Sequence, residues 1–264
     1  MIDKNQFITD LNLVRQKSPL VHNITNYVAM NNTANALLAI GASPVMAHSV
    51  NEVEEMVAIA SSLVINIGTL SDDWVKAMLL AGKAANKKEI PVILDPVGAG
   101  ATTYRTKTCL LIIEECKLSV IRGNASEIMT LVNSQSQIKG VDSIASSDSA
   151  VDEAKSLAKK TGAVVVISGP TDYITDGERI AEVKNGSIMM TRVTGLGCTA
   201  TAIIGAFAAV NSNFFEAATH AMAIMGIAGE LAAAKSEGTG TMQLHFLDEL
   251  YKISDKEILE HLKA

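Results

Sequence analysis

Aromatic residues are scarce in this chain: Phe, Trp and Tyr make up 4% of 264 residues. Its interior must therefore be built from Ala, Val, Ile, Leu and Met, and a 48% hydrophobic composition supplies enough for a sizeable core. Cysteine is rare as well. Cys109, Cys116 and Cys198 are an odd number without CxxC or Cys/His spacing, which argues against a disulfide framework or a zinc site and points to a reducing compartment. Positive charge is thin. The chain has 22 Lys and Arg against 28 Asp and Glu, a net charge of −6, and no basic run. That excludes the usual footprint of nucleic-acid or anionic-membrane binding. No uncharged apolar run reaches the ~18 residues of a membrane span. The N-terminal MIDKNQFITDLNLVRQKSP is an amphipathic helix pattern with charges throughout, not the apolar stretch of a secretion signal. A cytoplasmic protein is expected.

What the chain does have is alternation. Short β-branched runs occur at 43–47, 63–68, 90–98, 118–123 and 163–169, separated by helical patterns such as 51–61, 71–87 and 149–162. Strands apolar on both faces, joined by helices, mean a parallel sheet with right-handed crossovers. After Gly169 the rhythm changes to hairpins, with turns at Asp176-Gly177 and Asn185-Gly186. TRVTGLGC then reads as strand, glycine pair and helix. Two long apolar helices follow at about 198–211 and 214–235, and a last one near 255–263. Cys109 and Cys116, seven apart, are expected to share a helix face as small core residues. One doubly wound α/β domain spanning 1–264, a mostly parallel sheet flanked by helices, accounts for the whole.

Ligands in such folds bind beyond the carboxyl ends of the strands. Those ends read NIG (66–68), DPVGAGAT (95–102), RGNASE (122–127), SGPTD (168–172) and TGLGC (194–198). Asp95 can hold Mg²⁺ through water, although an Asp before proline is also a turn starter. Gly98 and Gly100 suit a tight turn or close backbone approach. Asn124 with Glu127 is a capping-box pair; Glu127 can also stand beside Asp95 as a second metal carboxylate. Arg122 is placed to face phosphates. Gly195, Gly197 and Cys198 open a helix whose first N–H groups make an anion hole. Cys198 itself can be a nucleophile, a ligand, a buried small residue or a proton acceptor, and helix-start N–H groups can lower a thiol pKa. Residues 19–47 crowd Asn23, Thr25, Asn26, Asn31, Asn32, Thr33 and Asn35 into one region. They read as caps and turns or as a small-molecule pocket, with Met46 an adaptable apolar wall. His22 is taken as structural.

In this order and spacing, PLVHNITN, ASPVMA, LVINIGTL, PVILDPVGAGAT, IRGNASEI and TGLGC resemble the hydroxyethylthiazole kinases of thiamine salvage, from about residue 10 to 235. The resemblance implies a ribokinase-like fold and ATP- and Mg²⁺-dependent phosphorylation of the primary alcohol of 4-methyl-5-(2-hydroxyethyl)thiazole. It also implies a homotrimer with active sites between subunits. Carried over by motif, Asn26, Val28, Met46 and Gly195 bind the thiazole, Arg122 and Ser168 contact ATP, and Asp95 and Glu127 serve the metal. Cys198 lies beside the substrate hydroxyl with a modest catalytic effect. Ser168 replaces a more usual Thr and keeps the hydroxyl. Leu196 is larger than the usual Ala or Thr and bears on the fit of the anion hole. Three other readings compete. They are another ribokinase-like kinase such as a hydroxymethylpyrimidine kinase, a cysteine-nucleophile acyl transferase, which requires a positioned His, and a non-catalytic nucleotide-binding module.

Overall fold

A computed structural model describes residues 2–136 and 147–263. After helix α1 (Lys4–Lys17), strands and helices alternate: β1 (Leu20–Ile24), α2 (Met30–Ile40), β2 (Ser43–Met46), α3 (Val53–Ile59), β3 (Ser62–Asn66), α4 (Asp72–Lys88), β4 (Val92–Asp95), α5 (Thr103–Glu115), β5 (Val120–Asn124), α6 (Ala125–Ser136), α7 (Ser147–Thr161) and β6 (Val164–Ser168). A meander of β7 (Asp172–Thr175) and β8 (Ile180–Val183) follows, then α8 (Leu196–Ala208), α9 (Phe214–Ala234), α10 (Thr239–Lys252) and α11 (Asp255–His261).

One sheet holds all eight strands in the order β2-β1-β3-β4-β5-β6-β7-β8. The first six run parallel; β7 and β8 are antiparallel. The order follows from burial on both faces. Every residue of β3 and β4 is buried, so these strands need cover above and below. Phe7, Leu37, Ile203, Ile224 and Phe246 cover one face with α1, α2 and α8–α11. Val53, Met78, Cys109, Ile128 and Leu157 cover the other with α3–α7. Within β3 the side chains alternate: Val64 joins the first core, Leu63 and Ile65 the second. By length and composition α9 could cross a membrane, but 78% of its most apolar window is buried inside the protein.

The expected alternation is present, with four differences. The stretch before the glycine pair is a 3-10 turn, Ile188–Arg192, not a strand; Met190 lies against Gly229 of α9, so the segment packs on a helix and has no ladder partner. Asp176-Gly177 turns a hairpin, whereas Asn185-Gly186 does not. The Asn185 side chain instead donates to the His261 carbonyl at 2.7 Å and accepts from the Lys263 N–H at 2.8 Å, tying down the C-terminal end. Cys116 is buried as expected but lies just past the end of α5 in extended conformation, so it does not share a helix face with Cys109. Helix α10 was not expected; its i, i+4, i+8 signal, Met242, Phe246 and Leu250, all fully buried, is short and follows a Gly-rich start.

Helix α1 is held by a buried polar cluster. The His220 Nδ1–H donates to Asp10 at 2.7 Å, and Asn211 and Gln6 donate to the same carboxylate at 2.8 Å. Phe7 stacks on the His220 ring at 4.9 Å. Burial pushes the Asp10 carboxyl up, but the bonds from His220, Asn211 and Gln6 outweigh it and hold the group below its ordinary value of 3.8. A depressed carboxyl adds stability that is present above 3.8 and lost as pH falls through the folded-state value. Asp10→Ala should therefore cost about 3 kcal/mol near neutral pH, as loss of one partner of a buried pair does. In urea melts the gap to the parent should close below pH 3.8.

Candidate active site

The chain winds from β1 outward to β2 and then back across to β3, so β1 and β3 flank the point where the strand order reverses. Their carboxyl ends splay apart there and leave a crevice. Asn26 lies just past the end of β1, Asn66 ends β3 and Asp95 ends β4, with Asn66 and Asp95 paired in register. Asn26 accepts the Ala29 N–H at 3.0 Å, which shapes the turn into α2. Its own amide donates to Asn66 Oδ1 at 2.9 Å and to Cys198 Sγ at 3.2 Å. Asn66 donates to Asp95 Oδ2 at 2.8 Å, as does Thr201 of α8.

Asp95 Oδ1 is buried with no hydrogen-bond partner. Burial raises the Asp95 carboxyl to about 6, with Glu127 adding to the shift while Arg122, Thr201 and Asn66 oppose it. Glu127 is a realised capping box: it accepts the Asn124 N–H at 2.8 Å while its own N–H bonds Asn124 at 2.9 Å. Its other oxygen accepts the Gly98 N–H at 2.8 Å and pins the DPVG loop. Arg122 of β5 donates to Ser168 at 2.7 Å, and its Nε is buried without a partner. Gly197 covers the same guanidinium so closely that a side chain there would stand 3.0 Å from it. The first helical bond of α8 joins Thr199 N–H to the Gly195 carbonyl, so the N–H groups of Leu196, Gly197 and Cys198 form the open first turn. A fixed cation and a helix N-terminus thus converge, which suits an anion. Beside them lies a cavity of about 480 Å³ bounded by Arg122, Ser168, Asp172, Ser187, Gly197 and Met222. Burial raises the Asp172 carboxyl to about 6.

The Cys198 thiol is raised, not lowered. Burial is the main cause and the Asp95 charge adds to it, lifting the thiol to about 11 despite bonds from Asn26 and Asn66. Burial outweighs the lowering that a helix start can exert, and Cys198 is a neutral thiol at physiological pH. The acyl-transferase reading loses its dyad as well. His220 bonds Asp10, His245 bonds Ser236, His22 donates to the Ala47 carbonyl and His48 packs at a tilt against Trp74, whereas Cys198 bonds Asn26.

Asn26, Asp95, Arg122, Glu127, Ser168, Gly195, Gly197 and Cys198 thus stand around one end of the sheet. Gly195, at φ +82°, packs against Ala29 of the Asn26 turn. Val28 and Met46 stand apart from the hydrogen-bond network: Val28 is 67% exposed on that turn, and Met46 closes β2 opposite Asn23. Sequence reasoning gave no role to Asn66, Thr201 or Arg105. Arg105 donates to the carbonyls of Ile67, Val97 and Gly68 at 3.1, 2.6 and 2.8 Å, strapping two strand-end loops together. Only Asn66 had a signal, as the polar end of an apolar run. Among the described residues no three His, Cys, Asp or Glu side chains cluster as a metal cage. The unpartnered Asp95 oxygen with Glu127 nearby fits instead a Mg²⁺ that keeps most of its waters.

The crevice at the carboxyl ends of the strands, with a fixed cation beside a helix N-terminus, is that of an α/β protein able to hold an anionic ligand. The fold is shared with the ADP complex of Bacillus subtilis pyridoxal kinase (TM-score 0.62, 18% identity, 80% of this chain and 91% of that one). The profile of the hydroxyethylthiazole kinase family matches residues 11–256, and the chain belongs to that family. It is 57% identical to the hydroxyethylthiazole kinase of Leptospira biflexa over 97% of this chain and 96% of the relative. It is 56% identical to that of Syntrophus aciditrophicus over 95% and 93%. The hydroxyethylthiazole kinase protein structure from Pyrococcus horikoshii superposes with a TM-score of 0.92 at 41% identity, covering 98% of each chain.

A side chain at Gly68 would stand 2.7 Å from the Asn26 amide. Gly68→Ala should therefore displace Asn26, break its bond to Asn66 and cost about 1 kcal/mol of stability. Thermal melts should show Tm lowered by about 3 °C.

Proposed function

We propose that the chain transfers the γ-phosphoryl group of ATP to the primary hydroxyl of 4-methyl-5-(2-hydroxyethyl)thiazole, in thiamine salvage. One juxtaposition carries this reading: the Asn26 turn and the cavity beside Arg122 meet at the first turn of α8, with Asp95 beneath. An alcohol on one side and a nucleotide on the other would share that point. The 1–264 chain reads as one kinase domain, because both cores lie on a single sheet.

In this reading Asn26, Val28, Met46 and Gly195 bind the thiazole, and Arg122 and Ser168 bind ATP. Gly195, Gly197 and Cys198 form the anion hole, where N–H dipoles and the Arg122 charge oppose the charge that builds on the phosphoryl oxygens. Asp95 and Glu127 would hold Mg²⁺ through its waters, and the ion would offset phosphate charge. Leu196 is buried and lines the cavity wall, so its bulk narrows the nucleotide side and not the alcohol side. Cys198 accepts the Asn26 amide N–H and keeps its proton. It positions the hydroxyl, and phosphoryl transfer tolerates the lack of a strong base because positioning and charge stabilisation dominate.

ADP release from ATP and Mg²⁺ should be seen with the thiazole alcohol and not with hydroxymethylpyrimidine or ribose; turnover on the pyrimidine alone would reassign the substrate. Cys198→Asp keeps an acceptor for Asn26 and Asn66 and adds a better base, so turnover should equal or exceed that of the parent. Lower turnover with unchanged alcohol binding would show that the site gains nothing from a base.

The active form is read as a homotrimer with sites between subunits, and as cytoplasmic. Tyr27 and Val28 on the alcohol side, with Leu38 nearby in sequence, are 64%, 67% and 59% exposed, and apolar exposure of this kind suits cover by a partner copy. Three free thiols and an ATP co-substrate suit the cytoplasm. Light scattering should give a mass three times that of the 27.9 kDa chain.

A further inference from the structure

Asn66 is 1% exposed, and both polar atoms of its amide are engaged. Its oxygen accepts from Asn26 Nδ2 and from the Gly68 N–H, each at 2.9 Å. Its nitrogen donates to Asp95 Oδ2 at 2.8 Å. A primary amide accepts and donates at once, which neither a carboxylate nor an ammonium does. The partners belong to separate elements, the turn after β1 and the end of β4, and each reaches α8 in turn, Asn26 through Cys198 and Asp95 through Thr201. Arg105 braces the same place by holding the Ile67 and Gly68 carbonyls, and residue 68 lacks the side chain that would push Asn26 away. With Oδ2 held by Asn66 and Thr201, the Asp95 carboxylate has one fixed orientation, and Oδ1 is the atom left unpaired.

We propose that Asn66 is a positioning residue that locks the alcohol-binding turn, Cys198 and the Asp95 carboxylate into one arrangement, so that the hydroxyl and the phosphoryl group meet in line. The role rests on the kinase reading above, but the lock itself does not. Asn66→Asp keeps both accepted bonds, loses the donated one and sets a second carboxylate against Asp95.

The experiment compares the full-length parent, Asn66→Asp, Asp95→Asn and the double variant at pH 8. Without ligand, Asn66→Asp should lower Tm by about 4 °C or more in the parent. It should cost little in the Asp95→Asn background, where the new amide can donate to the new carboxylate. With substrates, Asn66→Asp should lower kcat about 100-fold and raise the KM for the thiazole alcohol, while the KM for ATP stays within about twofold. Equal Tm losses in both backgrounds, or unchanged kcat and alcohol KM, would overturn the proposal. If Asn66→Asp does not fold, Asn66→Ser is read by the same kinetic split. A parent without turnover on the thiazole alcohol would sink the proposed function, and the Tm cycle would still decide the lock.

Discussion

Burying a carboxylate at the end of an apolar strand costs solvation that only fixed donors and a nearby cation can offset. Asp95 is in that position, at 1% exposure, and much of the site is arranged around it. Thr201 and Asn66 bond one of its oxygens and Arg122 supplies the opposing charge. The compensation is incomplete. Its carboxyl sits at about 6, and so does that of Asp172 on the wall of the neighbouring cavity. For a raised carboxyl the folded state holds the proton more tightly than the unfolded chain. That contribution is present below the ordinary 3.8 and is lost as pH rises through about 6. The ionised site at neutral pH is thus a strained one, stabilised by the rest of the fold.

The fold that bears this strain is a sheet buried on both faces. Reversal of strand order at β1 and β3 separates two crossover connections and opens the crevice. Asn26 and Asn66 end the two strands that border it, so their amides bond across it at 2.9 Å. Close approach explains the glycines that matter here. Gly68 admits the Asn26 amide, and Gly197 lets the start of α8 lie on the Arg122 guanidinium. The Asn26 turn and the start of α8 are joined directly, by the Asn26–Cys198 bond and by Gly195 against Ala29.

Chemistry and stability occupy different places. The Asp10–His220 cluster ties α1 to α9 and takes no part in the crevice network. His220 therefore serves packing, although a histidine in an apolar helix beside a cysteine-bearing one could suggest catalysis. The same separation makes α9 a core helix despite its apolar length.

The amino-acid sequence by itself determined the alternation of strands and helices, because period and β-branching at 63–68, 90–98 and 163–169 report burial on two faces. It also placed Asp95, Arg122, Glu127, Ser168 and Cys198 at element ends, since polar residues that close apolar runs must lie at a rim. The capping box of Asn124 and Glu127 was legible because its partners are three residues apart. What spacing could not carry was any relation across the chain. Asn66 meets Asn26 over 40 residues and Thr201 meets Asp95 over 106, so neither link leaves a local pattern. The protonation of the thiol was left open for the same reason. The helix start at Cys198 is visible in TGLGC, but burial and the charge of Asp95, which set its pKa, come from segments that only the folded sheet brings beside it.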